Sequence, residues 1–149
     1  SNETMKINKA KPTYIRQFTK DYDFLNPYYQ HLIPYHGITY KNAEAAFQAQ
    51  KNPKYARQFV SLSGPKARTL GSKVMPLPGW EDKQLDVMED ICRAKFSDEE
   101  LKQKLIATFP AILINGNTRG EKFWGASLKT GIGRNHLGEI LTDIREELM

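Results

Sequence analysis

Two stretches of this chain carry apolar residues at helical spacing, and they decide its class. Over Trp80–Phe96, Leu85, Met88, Cys92 and Phe96 recur at steps of three and four and share one face. Over His136–Leu148, Leu137, Ile140, Leu141, Ile144 and Leu148 line a second stripe. Two helices with one apolar face each must bury those faces against other elements of one core. Shorter helices are predicted around them. Asn42–Lys51 is rich in Ala, Gln and Glu, lacks Gly and Pro, and has Asn42 as its N-cap. Pro53–Ser61 and Pro65–Leu70 read as two short helices, the second opened by Gly64–Pro65 and stopped by Gly71. Ser97-Asp98-Glu99-Glu100 is a capping-box sequence; it opens a helix carrying Leu101, Leu105 and Ile106, which Pro110 ends.

Strand signals are few. Tyr14–Thr19 alternates loosely, Gly37–Tyr40 reads as a turn into an extended segment, and Ala111–Ile114 reads as a buried strand. Phe24–Tyr29 contains the turn signal Asn26–Pro27, and Asn115–Arg134 is glycine-rich and irregular. The predicted class is α+β, predominantly helical, in a single compact domain with a few short strands. A length of 149 residues suits one domain, and no repeat or Gly/Ser/Pro linker divides it. Residues 1–12 are expected to form a flexible N-terminal segment, with Ser1–Asn2 a cloning remnant ahead of a start at Met5, and residues 13–149 the domain.

Several function classes fall away. Apolar runs are too short for a membrane span, and Ser1–Lys11 has no stretch of signal-peptide length. The single cysteine, Cys92, leaves no internal disulfide and no multi-cysteine zinc site, which points to a reducing, cytoplasmic setting. Three histidines lack HExxH spacing, so no metal site is expected. GxSxG, P-loop and dinucleotide fingerprints are missing as well. Charge is more informative. Residues 1–80 hold 12 Lys/Arg against 4 Asp/Glu, whereas residues 81–149 hold 10 against 13. A positive first half suits an anionic partner, either a phosphorylated small molecule or a nucleic acid. Between Phe24 and Trp80 one acid, Glu44, stands among seven Lys/Arg.

Four constellations follow. Glu44, Phe47, Gln48 and Lys51 share one helix face, which either holds a polar ring-shaped ligand or is a solvated face with a Glu–Lys pair. Lys95 lies on an apolar stripe, where it must snorkel outward or meet a carboxylate, Glu44 or Glu121. Gly120-Glu121-Lys122-Phe123-Trp124-Gly125 puts Trp124 and Glu121 between glycines; Trp124 stacks on a base or plugs the core, and Trp80, after Pro78–Gly79, invites the same two readings. Thr130-Gly131-Ile132-Gly133-Arg134-Asn135 precedes a helix, so it offers N–H groups and the Arg134 charge to an anion, or is a structural turn.

These motifs, in this order, resemble the NADAR family (YbiA-like proteins) from about Phe24 to Arg145. The residues that carry the likeness are Phe24-Leu25-Asn26-Pro27-Tyr28, Gly37-Ile38-Thr39-Tyr40 and Ala43–Lys51, followed by Ala67-Arg68-Thr69-Leu70-Gly71, Trp80, Met88 and Lys95-Phe96. Glu121-x-x-Trp124-Gly125, Gly133-x-Asn135-x-Leu137-Gly138 and Arg145 complete it. The resemblance implies N-glycosidase activity without a metal or redox cofactor. The implied substrates are phosphorylated ribosyl or ADP-ribosyl compounds: phosphoribosylamino-pyrimidines of riboflavin synthesis, or ADP-ribose on guanine, hence modified nucleic acid as a partner. It implies site residues at Asn26, Glu44, Trp80, Lys95, Glu121, Trp124 and Asn135. Of these, Glu44, Lys95 and Glu121 are expected to be catalytic, and Asn26, Phe47, Gln48, Trp80, Trp124, Arg134 and Asn135 to bind substrate. A monomer or small homo-oligomer is expected. The family's usual His, Asp and Arg are replaced by Ala45, Glu121 and Ser72, and an acid usual before the Trp motif falls at Asn115 or Gly116; these changes bear on substrate choice or retained activity. The rival classes are an inactive ADP-ribose or nucleotide-binding module and a basic nucleic-acid-binding protein.

Overall fold

The computed structural model describes residues 12–149, so the segment expected at residues 1–12 lies outside the described residues except for Pro12. Strand β1 (Tyr14–Ile15) leads into a 3-10 helix, Lys20–Leu25. A hairpin, β2 (Ile33–Tyr35) and β3 (Ile38–Tyr40), follows, turning at His36 and Gly37, both at positive φ. Helix α1 (Ala43–Ala49) comes next, then a 3-10 helix, Pro53–Phe59, and α2 (Gly64–Gly71). Helices α3 (Trp80–Lys95) and α4 (Glu99–Ala107) precede three short strands, β4 (Ile112–Leu113), β5 (Gly116–Asn117) and β6 (Ala126–Ser127), and α5 (His136–Leu148) closes the chain. β1 pairs with β4 in parallel, Tyr14 opposite Ile112, and β5 pairs with β6 in parallel, Gly116 opposite Ala126. The predominantly helical α+β class is the one observed.

Helix α1 is the centre. All seven of its residues are buried, and α2, α3, the Pro53–Phe59 turn and the hairpin pack around it. Its alanines explain this: Ala43, Ala45, Ala46 and Ala49 are at most 1% exposed, and a methyl group lets a neighbouring backbone come close on every side. Asn42 caps it by accepting from the Ala45 N–H at 2.8 Å. On one side α2 lies so close that a Cβ at Gly71 would sit 2.0 Å from Gln48 Oε1. Helix α5 buries Leu137, Ile140, Leu141 and Ile144 against α3, α4 and β4.

Four local expectations are corrected. The alternation over Tyr14–Thr19 yields only Tyr14–Ile15, because pairing with β4 ends there and Arg16 turns its carbonyl to Gly116 N–H. Ala111–Ile114 is not a uniformly buried run: Ala111 and Leu113 are inside while Ile112 is 49% exposed, the alternation of a sheet edge. Leu85 is 37% exposed, since burial of that face of α3 runs over Met88, Ile91, Cys92 and Lys95. Asp98, not Ser97, caps α4, accepting from Leu101 N–H, while Ser97 Oγ donates back to the Ala94 carbonyl. The helix α2 does end at Gly71, as expected; this residue is small because Gln48 fills the space.

Candidate active site

A cleft of about 570 Å³ opens between α1, α2 and the loops around residues 17–28 and 115–124. Glu44 and Gln48 project into it from α1, with Phe47 beside them. Glu44 is 9% exposed, and its carboxylate accepts a 2.6 Å hydrogen bond from Gln48 Nε2, one turn along. Burial pushes the Glu44 pKa up; the Gln48 hydrogen bond and the charges of Arg68, Lys51 and Arg119 pull against that rise. A carboxyl group raised in this way holds a proton more readily than a solvated one, which is what a general acid needs. Lys51 is half-buried, which lowers its pKa, and its Nζ donates to the Gly71 carbonyl at 3.2 Å.

The opposite wall is the loop carrying Glu121 and Trp124, both of which line the cleft. The two Glu121 carboxylate oxygens accept from three backbone N–H groups, those of Phe123 (2.9 Å), Trp124 (3.0 Å) and Gly125 (2.8 Å). The carbonyls of Lys122, Phe123, Trp124 and Gly125 in turn accept from the N–H groups of Arg134, His136, Leu137 and Asn135. The loop is thus tied on both backbone sides. Trp124 meets Phe47 edge-on, with centroids 5.4 Å apart, and Phe47 also touches Trp80 at 5.2 Å.

Of the other expected site residues, Asn26 lines the cleft, and Lys95, Trp80, Arg134 and Asn135 do not. Lys95 is 2% exposed and does not line the cleft; its Nζ donates to the Asn26 carbonyl at 3.0 Å and lies over the Tyr29 and Phe96 rings. Neither Glu44 nor Glu121 is its partner, because the chain that passes over it is the Asn26 backbone. Burial drives its pKa down to about 8. Asn26 does line the cleft, with its side chain turned inward to the Phe18 carbonyl and the Tyr28 N–H. Trp80 is buried against Phe47 behind the cleft, the core-plug alternative. Asn135 braces the walls, its side chain accepting from Asn115 N–H and donating to the Leu113 carbonyl. Arg134 is exposed and off the cleft. The turn before α5 offers no open anion nest, since the N–H groups of Gly131, Ile132, Arg134 and Asn135 already have protein acceptors.

Residues that pattern reasoning passed over as site residues are Arg68, Arg119 and Tyr28, all cleft-lining. A signal for Arg68 existed. Gly64, Ala67 and Gly71 are small residues three and four apart, so α2 must press one face on a neighbour; here Gly64 meets Tyr28 and Gly71 meets Gln48. Arg119 sits in a loop that no periodicity orders.

The chain is similar to known proteins in both sequence and fold. The NADAR domain matches residues 6–149. The N-glycosidase YbiA of Shigella flexneri is 35% identical over 134 residues, covering 86% of this chain and 82% of that protein. A riboflavin biosynthesis protein of Vibrio vulnificus is 30% identical over 144 residues, 93% of this chain but 39% of that longer protein. The NMR structure of Escherichia coli YbiA superposes with a TM-score of 0.76 at 31% identity, covering 91% of this chain and 88% of that one. A match that takes in both walls of the cleft and the α1 acid on its floor settles the kinship: the chain belongs to the NADAR domain family.

Proposed function

We propose that this protein is an N-glycosidase that hydrolyses the C–N bond between a ribosyl group and a base-like amine, with Glu44 as the acid. The observation that carries this reading is Glu44: a buried carboxyl at the floor of a cleft, beside aromatic rings able to bound a planar base. As the C–N bond breaks, its electron pair leaves with nitrogen and positive charge develops on the anomeric carbon. Protonated Glu44 gives its proton to the departing nitrogen. The carboxylate left behind faces the cationic sugar and takes a proton from water as the water oxygen bonds to the anomeric carbon. Glu44 ends the cycle protonated as it began. The walls supply position: Trp124 and Phe47 flank the base, and Glu121 holds the Trp124 loop rather than exchanging protons.

The names of the relatives, N-glycosidase and riboflavin biosynthesis protein, support a ribosyl substrate. The finer reading is a phosphate-bearing one, an ADP-ribosylated guanine or a phosphoribosylamino-pyrimidine. Incubation with each, followed by mass spectrometry, tests it. Release of the sugar by the wild-type protein and not by Glu44→Gln is expected. Binding without release in either protein would make it a binding module instead.

A further inference from the structure

Arg68 on α2 and Arg119 on the loop between β5 and β6 both line the cleft and both are exposed, so they stand at its mouth while Glu44 lies on its floor. We propose that Arg68 and Arg119 form a phosphate subsite at the mouth of the cleft, coupled through charge to Glu44. The inference rests on the reading of this cleft as the active site and deepens it.

Among the described residues, neither guanidinium has a carboxylate in ion-pair range; the salt bridges found there join Arg93 to Glu89 and Glu147, and Lys104 to Glu100. The groups that face Glu44 are the Gln48 amide from its own helix, Lys51 from the turn just after that helix, Arg68 from α2 and Arg119 from the loop. Glu121 borders the same cleft, but its carboxylate is taken by three backbone N–H groups. Lys51 is held by the Gly71 carbonyl. Two arginines therefore remain to receive an anion, and a guanidinium presents paired N–H donors that match phosphate oxygens. The turn before α5 is closed to this role, as the N–H groups of Gly131, Ile132, Arg134 and Asn135 are occupied and Arg134 is off the cleft.

The coupling follows from the same charges. Both arginines favour the ionised form of Glu44. A phosphate seated on them offsets their field and adds negative charge nearby, so the carboxyl group keeps its proton more firmly. A phosphorylated substrate thus meets Glu44 in the acid form the leaving amine requires, and recognition of phosphate appears in kcat as well as in KM.

Calorimetry with ADP-ribose tests both halves, because each of its phosphates, esterified to a ribose and joined to the other through an anhydride, has one strongly acidic group that stays ionised near neutrality. Titrations at a series of pH values from about 5 to 9, in buffers of different ionisation heat, count protons taken up on binding. The expected result is a loss of about tenfold or more in affinity in Arg68→Ala and in Arg119→Ala, with adenosine binding unchanged. Proton uptake is expected in the wild-type protein and none in Glu44→Gln. Unchanged affinity in the double arginine variant, or a loss carried by Arg134→Ala instead, overturns the subsite. Binding without proton uptake at any of these pH values overturns the coupling. Failure of the N-glycosidase reading shows separately, as missing turnover in a protein whose ADP-ribose binding and proton uptake are intact.

Discussion

Glu44 and Glu121 line the same cleft, one on its floor and one on its wall, with their oxygens in different company. Glu44 accepts one side-chain hydrogen bond, from Gln48, in a dry setting. Glu121 accepts three, all from the backbone of the loop that follows it. Three N–H donors fix a carboxylate in place; it organises a wall and has little left to exchange with a substrate. One donor and burial do the opposite, and leave a proton to give. In a pair of acids near a cleft, the one with fewer fixed partners is the one placed for proton transfer.

The largest effect should come from Glu44→Gln. It keeps the shape and the Gln48 neighbour but removes the proton, and kcat should fall roughly 100-fold or more, the usual scale for general acid–base help. Stability should move the other way. Because burial raises the Glu44 pKa, the folded state binds its proton more tightly than the unfolded state. That stabilisation is lost as pH rises through the folded pKa. At neutral pH Glu44→Gln should therefore melt at or above the wild-type temperature, with the gap closing towards pH 4. A variant that melts lower at pH 7 yet turns over normally would reverse the roles given to the two acids.

Glu121→Gln sharpens the contrast. The amide keeps one acceptor oxygen and sets its NH₂ against a backbone N–H, so at least one of the three bonds is lost. A cost of about 1–3 kcal/mol is expected for a partly buried donor left unpaired. That corresponds to a drop in Tm of several degrees for a chain of this size. Turnover should fall less than in Glu44→Gln, chiefly through KM, as Trp124 loosens. Thermal melts and steady-state kinetics on both variants decide it: unchanged Tm with abolished kcat would make Glu121 an acid–base group after all.

The difference between these acids also marks how far the sequence speaks. Asn42 as N-cap, the alanine-rich helix and the face shared by Glu44, Phe47 and Gln48 were legible because they depend on neighbours three and four residues away. The burial of the whole helix was less so, since it depends on α2 and α3 closing on its alanines. Lys95 was legible as an odd residue on an apolar stripe, but its partner is a carbonyl 69 residues away in the chain. The glycines before α5 mark a real turn, with Gly131 and Gly133 at positive φ, yet what uses its N–H groups comes from Ser127 and the 122–125 loop. Local spacing names candidates; long-range backbone contacts sort those that face the cleft from those that brace it.

Lys95→Met is the smallest expected effect and probes the bracing layer behind the cleft. Methionine keeps the apolar stem and deletes the buried charge, at the cost of one of the two hydrogen bonds to the Asn26 carbonyl, which keeps the Tyr29 N–H. The folded-state pKa of Lys95 is lowered to about 8 from 10.5, so between those values the unfolded chain binds more protons than the folded one. Lys95 therefore makes wild-type stability rise with pH across that window, and its penalty is fully present below pH 8. Lys51 acts with the same sign and remains in the variant, whereas the Cys92 thiol, raised to about 11 by burial, opposes from pH 9 upward. The clean comparison is between pH 7 and pH 9. Lys95→Met should compare best with wild type at pH 7, and its relative stability should decline by pH 9; a difference independent of pH would mean that Lys95 is not the buried cation the fold makes it. Turnover should drop by less than in Glu44→Gln, because Asn26 loses an anchor while the acid stays. Borohydride added during turnover extends the test to chemistry. With Nζ turned to the Asn26 carbonyl and away from the cleft, no sugar should be trapped on Lys95, and an adduct there would move the lysine from support to nucleophile.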